Sequence, residues 1–231
     1  MRLRLCIGLV SVLWVLTRAQ SRAQETIFNV PSGDVLDRGK VYGEFDFTSR
    51  PHDGTKGYTP RIVIGVGHRL EIGLNVNGIV TPGVLQTNLG PTIKWKGYDG
   101  GGNGWAFFVG DDLFLPVQNR SYNAANYVYA EFTKMWKTKT RATFGGYHFT
   151  RELIAPAQRA GGQFAVEQPV GNRLTMAADW YTGTNALGYV TPGIILKATS
   201  KLTLYGSYQI GNSGVSAGNH QLLMELGWNF N

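Results

Sequence analysis

The residues from which a catalytic or metal site would be built are few and badly spaced for the purpose. His52, His68, His148 and His220 are scattered, with no metal-ligand interval between any two of them. Asp111-Asp112 is a candidate cation pair at a strand end, but adjacent residues of a strand point to opposite faces and cannot both ligate from one side. Gly100-Gly101-Gly102 suggests a phosphate cradle, yet Trp105 to Val109 reads as a strand, so no helix N-terminus follows to hold an anion. A lipid-cleaving site needs a serine and a histidine that meet, with a third group to orient them; His148 is the histidine well inside a candidate strand, and two positions on stands Thr150. The chain is therefore read as a non-enzyme, with no catalytic residue, metal ligand or cofactor assigned. What remains is electrostatic chemistry. Glu44, Asp46, Arg61, Glu71, Lys94, Lys96, Glu131, Glu167, Asp179, Lys197 and Glu225 recur on the polar side of alternating segments. They would either steer solutes or knit a wall together by ion pairs.

The elements that must position them follow an export signal. Arg2 and Arg4 precede an apolar run from Leu5 to Leu16, and Ser21-Arg22-Ala23 presents small residues where a signal peptidase cuts, so cleavage after Ala23 is expected. The run is shorter than the about 20 apolar residues a spanning helix requires. Cys6 leaves with it, and a disulfide scaffold is excluded. The formal charge of +7 also falls: Arg2, Arg4, Arg18 and Arg22 are lost, leaving 18 basic against 15 acidic residues, or +3. With no basic stripe, nucleic acid is not an expected partner.

Period-two alternation marks about twelve strands, near residues 39–48, 59–67, 70–79, 89–97, 104–114, 124–136, 139–149, 160–169, 173–182, 189–198, 201–210 and 219–230. In the third, Leu70, Ile72, Leu74 and Val76 alternate with Glu71, Gly73, Asn75 and Asn77; in the last, Leu222, Met224, Leu226, Trp228 and Phe230 form the greasy face. In the fifth and seventh, Phe107-Phe108 and the pair Tyr147 and Phe149 leave the choice of face open. Connections after even-numbered strands are mostly tight, such as His68-Arg69 and Thr199-Ser200. Those after odd-numbered strands are longer, such as 49–58 and 150–159. No stretch after residue 24 is long and apolar enough for a membrane helix, so a membrane form must be a closed barrel. The fold class expected is all-β: a closed antiparallel transmembrane β-barrel of about 12 strands, with short periplasmic turns and longer extracellular loops.

A single Arg or Lys turned toward mid-bilayer lipid costs roughly 2 to 4 kcal/mol, which places the ionised set inside. Tyr42, Tyr129, Tyr181 and Tyr205 share that face, either to stack on solutes or to fill space. Trp95, Trp105, Trp136 and Trp228, with Phe230, fall near periplasmic strand ends and Trp180 near the outer end, as an aromatic girdle would. Twelve strands close a ring roughly 24 Å across, with about 10 Å left between side chains. Residues 24–38, ahead of the barrel at 39–231, are either a periplasmic lead-in, the simpler case, or a small plug in the lumen. Arg50, Lys56, Arg120, Arg151 and Arg159 in the outer loops, set against Asp53 and Glu152, either form a solvated surface, the simpler case, or meet lipopolysaccharide phosphates or anionic solutes.

The signal Met1 to Ala23, the lead-in Phe28-Asn29-Val30-Pro31-Ser32 running through Leu36 and Gly39, and the closing Leu222 to Phe230 pattern together resemble the Gram-negative outer-membrane β-barrel class, more specifically its small porin- or transporter-like barrels. Asn231 departs from the class by following the terminal aromatic. The resemblance implies insertion by the barrel-assembly machinery into the outer membrane, with its lipid and lipopolysaccharide as partners. The function expected is a passive channel for small polar solutes. The alternatives are a closed structural or surface-interaction barrel and, further off, a lipid-acting enzyme.

Overall fold

The structure is a computed structural model that describes residues 25–83, 86–118, 120, 122–154 and 157–230. The expected signal and its cleavage site lie outside the described residues, as does Asn231. The strands are β1 (Val41–Ser49), β2 (Lys56–Gly67), β3 (Leu70–Asn77), β4 (Ile79–Thr81), β5 (Asn88–Asp99), β6 (Trp105–Pro116), β7 (Ala125–Met135), β8 (Arg141–Phe149), β9 (Ala160–Pro169), β10 (Leu174–Tyr181), β11 (Tyr189–Lys197), β12 (Leu202–Gly211) and β13 (Gln221–Asn229); a single helical turn, α1 (Arg151–Ile154), sits in one long loop. β1 bonds to both β2 and β13, so the antiparallel sheet closes on itself and leaves no edge. Twelve strands form the ring. β4 is a short extra strand that pairs with Lys56 to Tyr58 of β2 beyond the point where β3 stops.

The break between β3 and β4 falls inside the expected 70–79 strand and has a local cause. Gly78 has φ +75°, and a Cβ there would lie 2.2 Å from the Gln86 carbonyl oxygen, so the chain turns out of line at a position that only glycine fills. The tight turns are all on one rim and the long loops on the other. His68-Arg69 takes positive φ at both residues (55° and 62°), the conformation a two-residue hairpin needs. On the opposite rim, Asp53 accepts the Thr55 N–H (2.9 Å) and faces Arg50 (3.2 Å), and these hold its carboxyl down at about 2.

Alternation decides the two faces. Ile62, Ile64, Val66, Ile72, Leu74, Leu222, Met224 and Leu226 point outward and are exposed, which in water would be an untenable apolar belt. Wrapped in acyl chains it is the lipid face of a transmembrane barrel. Trp95, Trp105, Trp136, Trp228 and Phe230 project from one end of this belt and Trp180 from the other. Trp105 meets Phe144 edge-on (6.0 Å, 88°) and carries the Lys134 ammonium over its ring at 5.5 Å. The two open strands resolve cleanly. On β6, Ala106 and Phe108 turn inward; on β8, Arg141, Thr143, Tyr147 and Phe149 do. Asp112 lies opposite Thr92 and Tyr127 on the bore side, while Asp111 lies opposite Ile93 and Val128 on the outer side, with the Asn126 amide at 3.4 Å.

Candidate functional site: the filled bore

The apolar core of this molecule lies inside the bore, and Ile27, Phe28, Val30 and Leu36 of the chain ahead of the barrel contribute to it. Ile27, Phe28, Val30, Ser32 and Leu36 are buried among the lumen walls, so the described part of residues 24–38 runs inside the bore. The segment doubles back on itself, Ile27 N–H donating to the Val30 carbonyl (2.8 Å) and Ser32 N–H to that of Glu25 (3.0 Å), and the wall satisfies groups that this small hairpin leaves over. Asp179 of β10 does this for three successive residues: its Oδ2 accepts the N–H groups of Phe28 (3.0 Å), Asn29 (2.6 Å) and Val30 (2.9 Å). The Asn29 amide donates to Asp179 Oδ1 (3.2 Å) and to Thr191 (2.7 Å), and accepts from Gln209. Lys94 Nζ donates to the Ser32 carbonyl (3.2 Å), Glu71 accepts the Leu36 N–H (2.8 Å), and Arg141 pairs with Asp34 (2.8 Å). Glycine makes the room: a Cβ at Gly193 would lie 2.6 Å from the Phe28 ring, and one at Gly33 would lie 2.7 Å from Thr133.

The polar residues expected in the interior occupy it in distinct groups. Glu44 and Asp46 of β1 meet Arg61 of β2 (Nε to Glu44 3.7 Å, Nη2 to Asp46 2.7 Å), and Arg61 also faces Glu25 of the segment at 3.6 Å. Glu225 of β13 stands directly opposite Asp46. Glu71 and Lys94 pair at 2.8 Å. Glu167 takes a two-point contact from Arg141, one arm at 2.8 Å. Glu131 is fully buried, and neither of its carboxylate oxygens has a hydrogen-bond partner. Lys96 and Lys197 stay at the short-turn rim, half-buried, Lys96 held by Asp99 at 3.2 Å. The acids thus outnumber the bases in a space with little water, which raises every uncompensated charge in importance.

Toward the long-loop rim the bore is closed by aromatic rings. Tyr127, Tyr147, Phe149 and Tyr181 pack together, Tyr127 stacking on Phe149 (4.8 Å, 24°) and bonding to Tyr181 and Gln163 through its hydroxyl. The Asn185 amide, from the loop above, donates to Tyr147 Oη at 3.0 Å. Of the tyrosines singled out from sequence, all are buried, Tyr129 lying where a Gly110 side chain would be and Tyr42 where one at Gly227 would be. They fill space in this conformation. The missed members sat at inward positions: Tyr127 lies two before Tyr129 on β7 and was legible from it, and Tyr147 needed only the face of β8 to be found. On the outer wall, Thr150 Oγ1 accepts the Asn126 N–H at 3.0 Å, while His148 faces outward from β8 at an exposed position.

A closed barrel with an apolar outer belt, an ionised bore, short turns on one rim and long loops on the other is the class of outer-membrane β-barrel proteins. Solved structures place the fold there. The KdgM porin in complex with disordered oligogalacturonate superposes with a TM-score of 0.61 over 82% of this chain and 99% of its own, at 9% identity. The COG4313 outer membrane channel from Pseudomonas putida F1 gives 0.54 over 90% and 100%, at 11% identity. Outer membrane phospholipase A from Escherichia coli gives 0.48 over 92% and 95%, at 12% identity. No protein-family model and no curated protein sequence matches the chain.

Proposed function

We propose that this protein is an outer-membrane channel for small polar solutes, neutral or cationic, held closed at rest by its own N-terminal segment. The observation that carries the reading is the kind of filling. A barrel that served only as a scaffold could fill its bore with wall side chains, as small barrels do. Here the centre is taken by residues 25–36, which enter from one end and are held by hydrogen bonds and ion pairs to an ionised wall together with the apolar contacts of Ile27, Phe28 and Val30. Withdrawal of the segment would open the ionised part of the bore to about 10 Å in a ring of this strand number, and a solute would still have to displace the Tyr127, Tyr147, Phe149 and Tyr181 rings at the long-loop rim. Two neighbours named as a porin and a channel support the reading at the level of fold. The excess of acid argues for a different solute from the uronate oligomer of the KdgM complex, because Glu131 and Glu225 would repel a polyanion. Location in the outer membrane of a Gram-negative bacterium, after export and assembly, goes with this reading.

The experiment is planar-bilayer recording of the purified full chain and of a chain lacking residues 25–36 with the signal intact. The full chain is expected to show rare or small openings and the deletion a steady, larger step. Silence from both, with the deletion still folded by its heat-dependent gel mobility, would overturn the channel in favour of a closed barrel.

A further inference from the structure

We infer that the bore contains a binding site for a hard divalent cation, formed by Glu44 and Asp46 of β1 with Glu225 of β13. The register builds it. Glu44 and Asp46 are two apart on one strand, so both face inward, and Asp46 pairs directly with Glu225 across the β1–β13 seam that closes the barrel. One carboxylate oxygen from each of the three lies within 4.8 Å of the others. Two oxygens on opposite sides of a calcium ion, at about 2.4 Å each, are separated by about that distance.

A separate observation points to a ligand. Glu225 is 3% exposed, and both of its oxygens are inaccessible and without a hydrogen-bond partner, as are Glu44 Oε1 and Asp46 Oδ1. A buried carboxylate with neither donor nor counter-charge is costly. Arg61 does not relieve it, since that single guanidinium is already shared among Asp46, Glu44 and Glu25. Four carboxylates, counting Glu25, against one arginine leave three negative charges. A dication would cancel two of them and take the free oxygens as ligands. The donors are all oxygen, with no histidine or cysteine in the group, which selects calcium or magnesium over zinc or copper. Calcium is favoured, because magnesium demands a tighter octahedron.

The site does not depend on conduction and would exist equally in a closed barrel, so it can fail or succeed independently of the channel. The test is calorimetric titration of chelator-stripped, detergent-solubilised protein with calcium chloride and, separately, magnesium chloride, alongside thermal unfolding with and without each ion. The expected result is saturable calcium binding with a raised unfolding temperature. Glu225→Gln should weaken binding about tenfold or more while staying folded and, without calcium, become more heat-resistant than the parent. Asp53→Asn in an exposed loop should leave binding unchanged. Absence of binding in the parent means that protons neutralise the cluster and overturns the site, as does binding that survives Glu225→Gln.

Discussion

One carboxylate does most to fasten the N-terminal segment inside the bore. Asp179 takes three consecutive backbone N–H groups on a single oxygen, and it is 2% exposed, so water cannot replace it. Asp179→Ala strands those donors in a dry interior. Hydrogen bonds to a charged group contribute about 1.5 to 3 kcal/mol each, but their losses are not additive, and a net weakening of docking by about 3 kcal/mol is a reasonable expectation. A chemical reporter is available because Cys6 is the chain's single cysteine and lies within the expected signal. Ser32→Cys is nearly isosteric at a fully buried position of the segment. Its reaction with a water-soluble maleimide should be slow with Asp179 present and about a hundredfold faster in the Asp179→Ala background. Equal rates in the two backgrounds would mean that the apolar contacts of Ile27, Phe28 and Val30 hold the segment without help from the carboxylate.

The strands are elements whose two faces have different solvents, and that is a testable statement about each of them. Leu74 lies near the middle of β3, outward and 40% exposed, with Asn75 one position away, inward and buried. Leu74→Arg puts a guanidinium into acyl chains at a cost of about 2 to 4 kcal/mol, and the folded band on an unheated gel should fade or unfold at lower temperature; an unchanged barrel would place β3 away from lipid. The same alternation made the strands legible in the sequence, where the ranges 160–169 and 201–210 fall on β9 and β12 to within a residue. It worked because period two is a local property. It stumbled at Gly78, where a long-range approach by Gln86 interrupts the strand. Glu44 and Asp46 were legible as inward residues, but their meeting with Glu225 depends on ring closure, a contact between the two ends of the barrel that no window of sequence contains. Residues 25–36 were harder still. Ile27, Phe28 and Val30 have no periodic pattern, and their burial is set by Asp179 some 150 positions later.

At the scale of the whole molecule, the barrel is a low-dielectric ring around an acid-rich axis, and its field is a property of the sum rather than of any pair. Lys94 and Arg141 are matched by Glu71 and Glu167, so they cancel locally. What is left over comes from Glu131 and, in calcium-free solution, from Glu225 and the acids crowded around Arg61, arranged along the same passage. A narrow passage lined by one sign of uncompensated charge concentrates counter-ions and excludes co-ions. The opened form lacking residues 25–36 should therefore pass potassium more readily than chloride, read as a reversal potential of the cation-selective sign across a potassium chloride gradient. The preference should weaken as salt rises from 0.1 M to 1 M, over which the screening length falls from about 10 Å to about 3 Å and becomes shorter than the passage is wide. Glu131→Gln should move the reversal potential toward zero without changing the step size much, because it alters charge and not volume. A reversal potential of the opposite sign would mean that Arg61, Lys94 and Arg141 govern the passage once the segment has left, and that the solute is an anion after all.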